Sequence, residues 1–145
     1  MTVDLDALSK SKPLFVYYYV ALTKDRVGDP NFQFASKFEQ GTLGQETIEF
    51  LNKNFICKRV EIPMDADLKV AKNHARLEIY SQLGKKMGLI GIENDASLNK
   101  SQFLGFLQVR ITKCQKVVAD EVARIQKVRK DKELADKKQA AKKGE

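Results

Sequence analysis

An unbroken apolar and aromatic run, Leu14 to Leu22, is the strongest hydrophobic feature of the chain. Its tyrosines and β-branched residues favour a pleated surface, and its lack of alternation marks a central strand covered on both faces. A polar loop follows, with Gly28, Asp29, Pro30 and Asn31 as turn residues. The spacing then turns helical through Phe38, Leu43, Ile48, Leu51 and Phe55. This predicts a helix over about residues 32–54 that bends or breaks between Gly41 and Gly44, because each glycine weakens a helix interior by roughly 1 kcal/mol. Phe55 to Ile62 alternates well enough to be a second strand, closed by Pro63, and completes a βαβ unit.

Beyond it, Leu68, Val70 and Ala71 predict a short helix starting near Asp65, capped by Asp65 or Asp67 and ending near Asn73-His74. Arg76 to Ile92 reads as an antiparallel hairpin turning at Leu83 to Lys86. A competing reading carries the preceding helix through to Met87, since Leu77, Tyr80 and Leu83 also fit helical spacing. A final helix, capped by Asp95 or Ser97, presents one stripe: Phe103, Leu104, Leu107, Ile111, Cys114, Val118, Val122, Ile125 and Val128. Ahead of everything lies a polar segment, residues 1–11, with Leu5 and Leu8 as anchors and a possible helical turn capped by Asp4.

Length changes the picture little: 145 residues with 43% hydrophobic content make one domain with a sufficient core. The acidic N-terminus lacks the basic start and apolar core of a secretion signal. The longest apolar run is about half of the roughly 20 residues that a membrane helix requires. A soluble cytoplasmic protein with no membrane contact is therefore expected. The two cysteines, Cys57 and Cys114, are expected as reduced packing thiols on a central strand and on the last helix. His74 is the sole histidine, so no metal site is implied with those cysteines, and it reads as a surface or helix-end residue. Tyr17, Tyr18 and Tyr19 invite comparison with a base-stacking platform, but alternation puts only Tyr17 and Tyr19 on one face, and the triplet reads as core packing.

The order βαβ, then α, β, β, α, together with Lys12-Pro13-Leu14-Phe15-Val16, Lys37-Phe38-Glu39 and Ile48-Glu49-Phe50-Leu51-Asn52-Lys53-Asn54-Phe55, resembles the thioredoxin superfamily. The resemblance spans about residues 12–108 and implies a three-layer βαβαββα fold. It also implies where the family's chemistry would lie. Counting back from Lys37-Phe38-Glu39, the Cys-x-x-Cys pair would fall near Phe32 and Ala35, and the cis-proline near Ala75 or Arg76. This chain has neither cysteine nor proline there. Disulfide exchange needs an attacking thiolate and a resolving partner, so a redox-inactive, non-enzymatic protein with no cofactor is expected.

The net charge of +7 is concentrated at the end of the chain: Val122 to Glu145 holds nine Lys or Arg against four Asp or Glu, an excess of +5. The organisation is thus residues 1–11, a thioredoxin-like domain over 12–115 and a basic helical extension over 116–145. Val118, Val122, Ile125 and Val128 would be costly if left in water, at about 1.5 kcal/mol per side chain. They are candidates for burial by self-association, by another protein or by the N-terminal segment. The cations Arg124, Lys127, Arg129, Lys130, Lys132, Lys137, Lys138, Lys142 and Lys143 would suit nucleic-acid phosphates. The interleaved Asp131, Glu133 and Asp136, and the lack of aromatics after Phe106, suit a solvated helix with intrahelical pairs instead.

Overall fold

The apolar run at Leu14 forms a strand because its residues pair on both sides. In the computed structural model, which describes residues 3–143, β1 (Leu14–Tyr19) lies between β2 (Ile56–Glu61) and β3 (Arg76–Tyr80), with β4 (Lys86–Gly91) beyond β3. The strand order is β2-β1-β3-β4; β1 and β2 run parallel, while β3 is antiparallel to both β1 and β4. The side chains of Ser97, Lys142 and Lys143 lie outside the described set. The hairpin of β3 and β4 forms as its alternation predicts, and the competing long helix does not. Its turn is Ser81 to Lys85, where Gly84 takes φ +82°, a left-handed conformation that suits glycine.

The predicted first helix is two. α2 (Pro30–Lys37) starts on Asp29, whose side chain accepts from Asn31 N–H, with proline in the first helical turn. A π-helical turn over Phe38–Thr42 ends it, closed by Leu43 N–H donating to Phe38 O at 2.8 Å, and Gly44 precedes α3 (Gln45–Asn54). The glycines thus separate the helices as expected. α1 (Leu5–Lys10) is capped by Asp4, which accepts from Asp6 and Ala7 N–H at 3.1 Å each.

α4 spans Lys100–Lys143, 44 residues or about 66 Å of helix at 1.5 Å per residue. Neither predicted residue caps it: Asp95 begins a separate 3-10 turn, Asp95–Leu98, and the Ser97 side chain is outside the described set. Asn99 is the cap, its Oδ1 accepting from Ser101 N–H at 3.1 Å. A continuous helix was expected from Phe103, and the stripe from Phe103 to Val118 is what docks it: Phe103, Leu107, Ile111, Cys114 and Val118 are all buried. The docking is close enough that a Cβ on Gly88 of β4 would meet Phe106 Cζ at 2.9 Å.

Phe15 and Tyr17 on β1, Leu77 and Ile79 on β3 and Ile90 on β4 form one cluster with Phe34, Phe38, Leu51, Phe103 and Leu107. Its centre is aromatic: Phe103 lies edge-on to Phe38 at 5.6 Å and to Phe15 at 6.3 Å, and Tyr17 to Phe38 at 4.7 Å. These side chains alternate with Leu14, Val16 and Tyr18, so α2, α3 and α4 cover the face that carries Phe15 and Tyr17. The expected third layer is not formed. The segment that would supply it, between β2 and β3, has too few apolar positions for an amphipathic helix. It makes one 3-10 turn, Ala71–Asn73, and the Asp67 side chain accepts from Lys69 N–H while its carbonyl accepts from Val70 N–H and Asn73 Nδ2. Val16 is nevertheless buried, outside the main cluster.

Candidate binding surfaces

The loop entering α2 is closed by packing. Asn31 is buried; its Nδ2 donates to Asp29 Oδ1 at 3.1 Å and its Oδ1 accepts from the buried Ala75 N–H at 2.8 Å. Phe32 packs half-buried against the core and Ala35 is fully buried. The two positions that the resemblance would give to thiols thus hold apolar groups, and of the two it would give to the proline, Ala75 is linked to the Asn31 amide and Arg76 begins β3. Asn31 was not singled out from sequence, where it reads only as a turn residue; its partner is 44 positions away and leaves no local signal. Replacing Asn31 by alanine should leave the Ala75 N–H buried and unpaired, at a cost of about 1–3 kcal/mol. Denaturant unfolding of the variant checks this.

His74 stands in the loop before β3, with Nε2 2.7 Å from Leu68 O. It ends no α-helix, because none forms there. Among the described residues, no three His, Cys, Asp or Glu side chains gather where they could hold a metal ion. Cys114 is buried as expected, and burial pushes its thiol pKa up. Cys57 is not: β2 is an edge strand rather than a central one, and Cys57 is exposed. Partial burial still raises its pKa, against a smaller lowering by Lys12, so the thiol is not activated.

Between α3 and the sheet is a cleft of about 410 Å³, floored by Phe15, Tyr17 and Phe38. Among the described residues the buried Tyr17 hydroxyl has no hydrogen-bond partner, and its pKa is pushed strongly up, first by burial and then by the Glu39 carboxylate. Glu39 pairs with Arg59 at 3.3 Å at the rim, and Arg59 also lies over the Tyr19 ring at 4.7 Å. The tyrosine triplet is thus split: Tyr17 and Tyr19 face the helices, and Tyr18 the other side.

The C-terminal candidates are not equivalent. Val118 is buried by its own chain and is no free surface. Val122 and Ile125 are half-buried, in the stretch where α1 lies against α4; the half-buried residues of α1 are Leu5 and Leu8, and Arg129 donates to Val3 O at 2.7 Å. Of the three expected ways to bury the stripe, the N-terminal segment therefore accounts for much of it. Val128 is 55% exposed, and every described side chain from Lys130 to Ala141 is exposed. Arg124 pairs with Glu121 within the helix. Lys127 and Lys130 have no ion pair among the described residues, and neither do Asp131, Glu133 and Asp136, so the expected intrahelical pairs in that stretch do not form. Lys142 and Lys143 lie outside the described side chains.

The uncovered sheet face carries a second constellation. Glu78 is buried there, pairing with Arg76 at 3.0 Å and Lys86 at 2.9 Å and accepting from Tyr80 hydroxyl at 2.5 Å. Arg76 lies over the Tyr18 ring at 3.9 Å. Beside them opens a hollow of about 480 Å³, lined by residues of β1, β2, β3 and the hairpin turn and by Lys12 ahead of β1. No family model, no curated protein and no solved structure matches this chain.

Proposed function

We propose that this chain is a redox-inactive, thioredoxin-like binding module that assembles with a protein partner through its C-terminal helix. The observation that carries the reading is α4 itself, which runs on from Ala119 to Lys143 past the last residue it buries in the core, Val118. An isolated helix in water is held by little beyond its own hydrogen bonds, so a long projecting one is best used as an arm. The contact stripe is Val122, Ile125 and Val128, where α4 emerges from beneath α1. The strand order and the fill of the α2 entrance by Asn31, Phe32 and Ala35 support the thioredoxin-like, non-catalytic part of the reading. The unpaired cysteines support a cytoplasmic setting.

A chain ending at Lys130 keeps the contact stripe and removes only the end of the arm beyond it, where the described side chains are all exposed. Its stability should stay within about 0.5 kcal/mol of the parent. Light scattering should show the full chain gaining mass with concentration while V122D/V128D does not. A monomer at all concentrations in both removes self-assembly through this stripe. If the full chain instead binds RNA and loses that on truncation at Lys130, the basic tail is a nucleic-acid arm.

A further inference from the structure

We propose that the uncovered face of the sheet, a surface separate from the α4 arm, binds single-stranded nucleic acid. The hollow on that face has the chemistry for it. Lys58 lines it together with Lys12, whose Nζ also donates to Asn52 O at 3.3 Å, and no carboxylate is among its lining residues. The acidic side chain on the neighbouring stretch of β3, Glu78, is buried and already shared by the largely buried Arg76 and the exposed Lys86, so this anion lies beneath the cations and Lys86 is presented to solvent. An anionic partner is therefore favoured over a second copy of the chain, which would bring the same cations against them.

The apolar part of the surface suits bases. Leu14, Val16 and Val60 floor the hollow, Tyr80 lines it at one end and Tyr18 at the other. In the β1 to β3 register Tyr80 lies opposite Leu14 and Arg76 opposite Tyr18, so the two tyrosines are separated by the Leu14 to Tyr18 length of β1, about 13 Å at 3.3 Å per residue. Tyr80 offers a ring on which an unpaired base stacks. At Tyr18 the ring is covered by the Arg76 guanidinium, so a base there meets the guanidinium plane, which also stacks on bases. Gln82 lines the same hollow, and its Oε1 has no hydrogen-bond partner among the described residues. Four strands with stacking groups and cations on an open face can hold two or three unstacked bases, whereas a duplex hides its base faces.

Fluorescence anisotropy of the full chain with labelled oligo-uridine and oligo-thymidine dodecamers, and with a duplex of the same length, tests this. Binding of the single strands should weaken roughly tenfold or more between about 50 and 200 mM salt, and the duplex should bind more weakly than either. Tyr80→Ala should lose about tenfold in affinity, as expected for one stacked base, while Tyr80→Phe, which keeps the ring, should stay near the parent. Lys58→Glu, an exposed edge-strand change, should lose several-fold, and K137E/K138E on the tail should not. A preference for oligo-uridine would place the function on RNA, and equal binding on single strands generally; both support the face. Absence of binding at low salt overturns the proposal. So does binding that survives Tyr80→Ala and Lys58→Glu, or that disappears with K137E/K138E alone.

Discussion

Phe103→Ala is expected to cost about 3–5 kcal/mol in denaturant unfolding, while Val128→Ala on the same helix stays within about 0.5 kcal/mol. Phe103 is fully buried and edge-on to both Phe15 of β1 and Phe38 at the end of α2, so alanine opens a cavity where sheet and two helices meet. None of those neighbours can refill it without breaking its own aromatic contacts, such as Tyr17 against Phe38. A loss of that size is a large fraction of the roughly 5–15 kcal/mol that holds a domain together. Val128 is more than half exposed and forfeits little. Equal, small effects at both sites would mean that α4 does not close the core, and the division of the helix into a docked half and an arm would fail with it.

The helix and its apolar face were legible in the stripe from Phe103 onward, because helical spacing reports one face whether a core or a partner covers it. Who covers the face was not legible. Val118 fits the stripe as well as Val128 does, yet the first is buried and the second is not, because α1 and the domain end between them. The same ambiguity governs β1. An apolar run with no alternation was read as covered on both faces, and its pairing to β2 and β3 followed, but the second cover did not form. Neighbouring strand side chains bury Val16 without a helix above it, so burial of a central strand residue does not require a third layer.

Chemistry was legible mainly as vacancy. The lack of thiols near Phe32 and Ala35 is plain in the sequence, whereas what fills the place, Asn31 joined to Ala75, depends on two segments meeting in the fold. Cys57 was misplaced for a related reason. A strand's composition does not reveal whether it is central or edge, and only the order β2-β1-β3-β4 puts Cys57 at the margin. Tyr18 and Tyr80, 62 positions apart in number, share a face only through the β1 to β3 register.

Glu78 is the other position where a single change should be costly. Burial alone would push its carboxyl pKa up, but the hydrogen bonds from Tyr80, Lys86 and Arg76 outweigh it and hold the carboxyl below its ordinary value. Glu78→Gln keeps the volume and removes the charge, and its amide turns a donor toward a site where three donors converge. The expected loss is about 2–4 kcal/mol near pH 7, given charge-assisted bonds at about 1.5–3 kcal/mol that do not add in full. Because the folded pKa is depressed, the contribution is fully present above the unfolded value of about 4.3 and is lost as pH falls through the folded one. The gap between parent and variant should therefore narrow as pH is lowered from about 7 to about 3. Tyr80 supplies an independent readout from the other partner. Its hydroxyl is pushed up to about 12, first by the hydrogen bond to Glu78, then by burial and the carboxylate's charge. In Glu78→Gln the charge is gone, and an ultraviolet titration of tyrosinate should show one tyrosine moving down toward its ordinary value of about 10. A raised Tyr80 contributes stability at lower pH that is lost as pH rises through about 12, so the two partners lose their linkage at opposite ends of the pH range. An unchanged tyrosine titration combined with an undiminished gap at low pH would show that Glu78 is not the anion of this cluster.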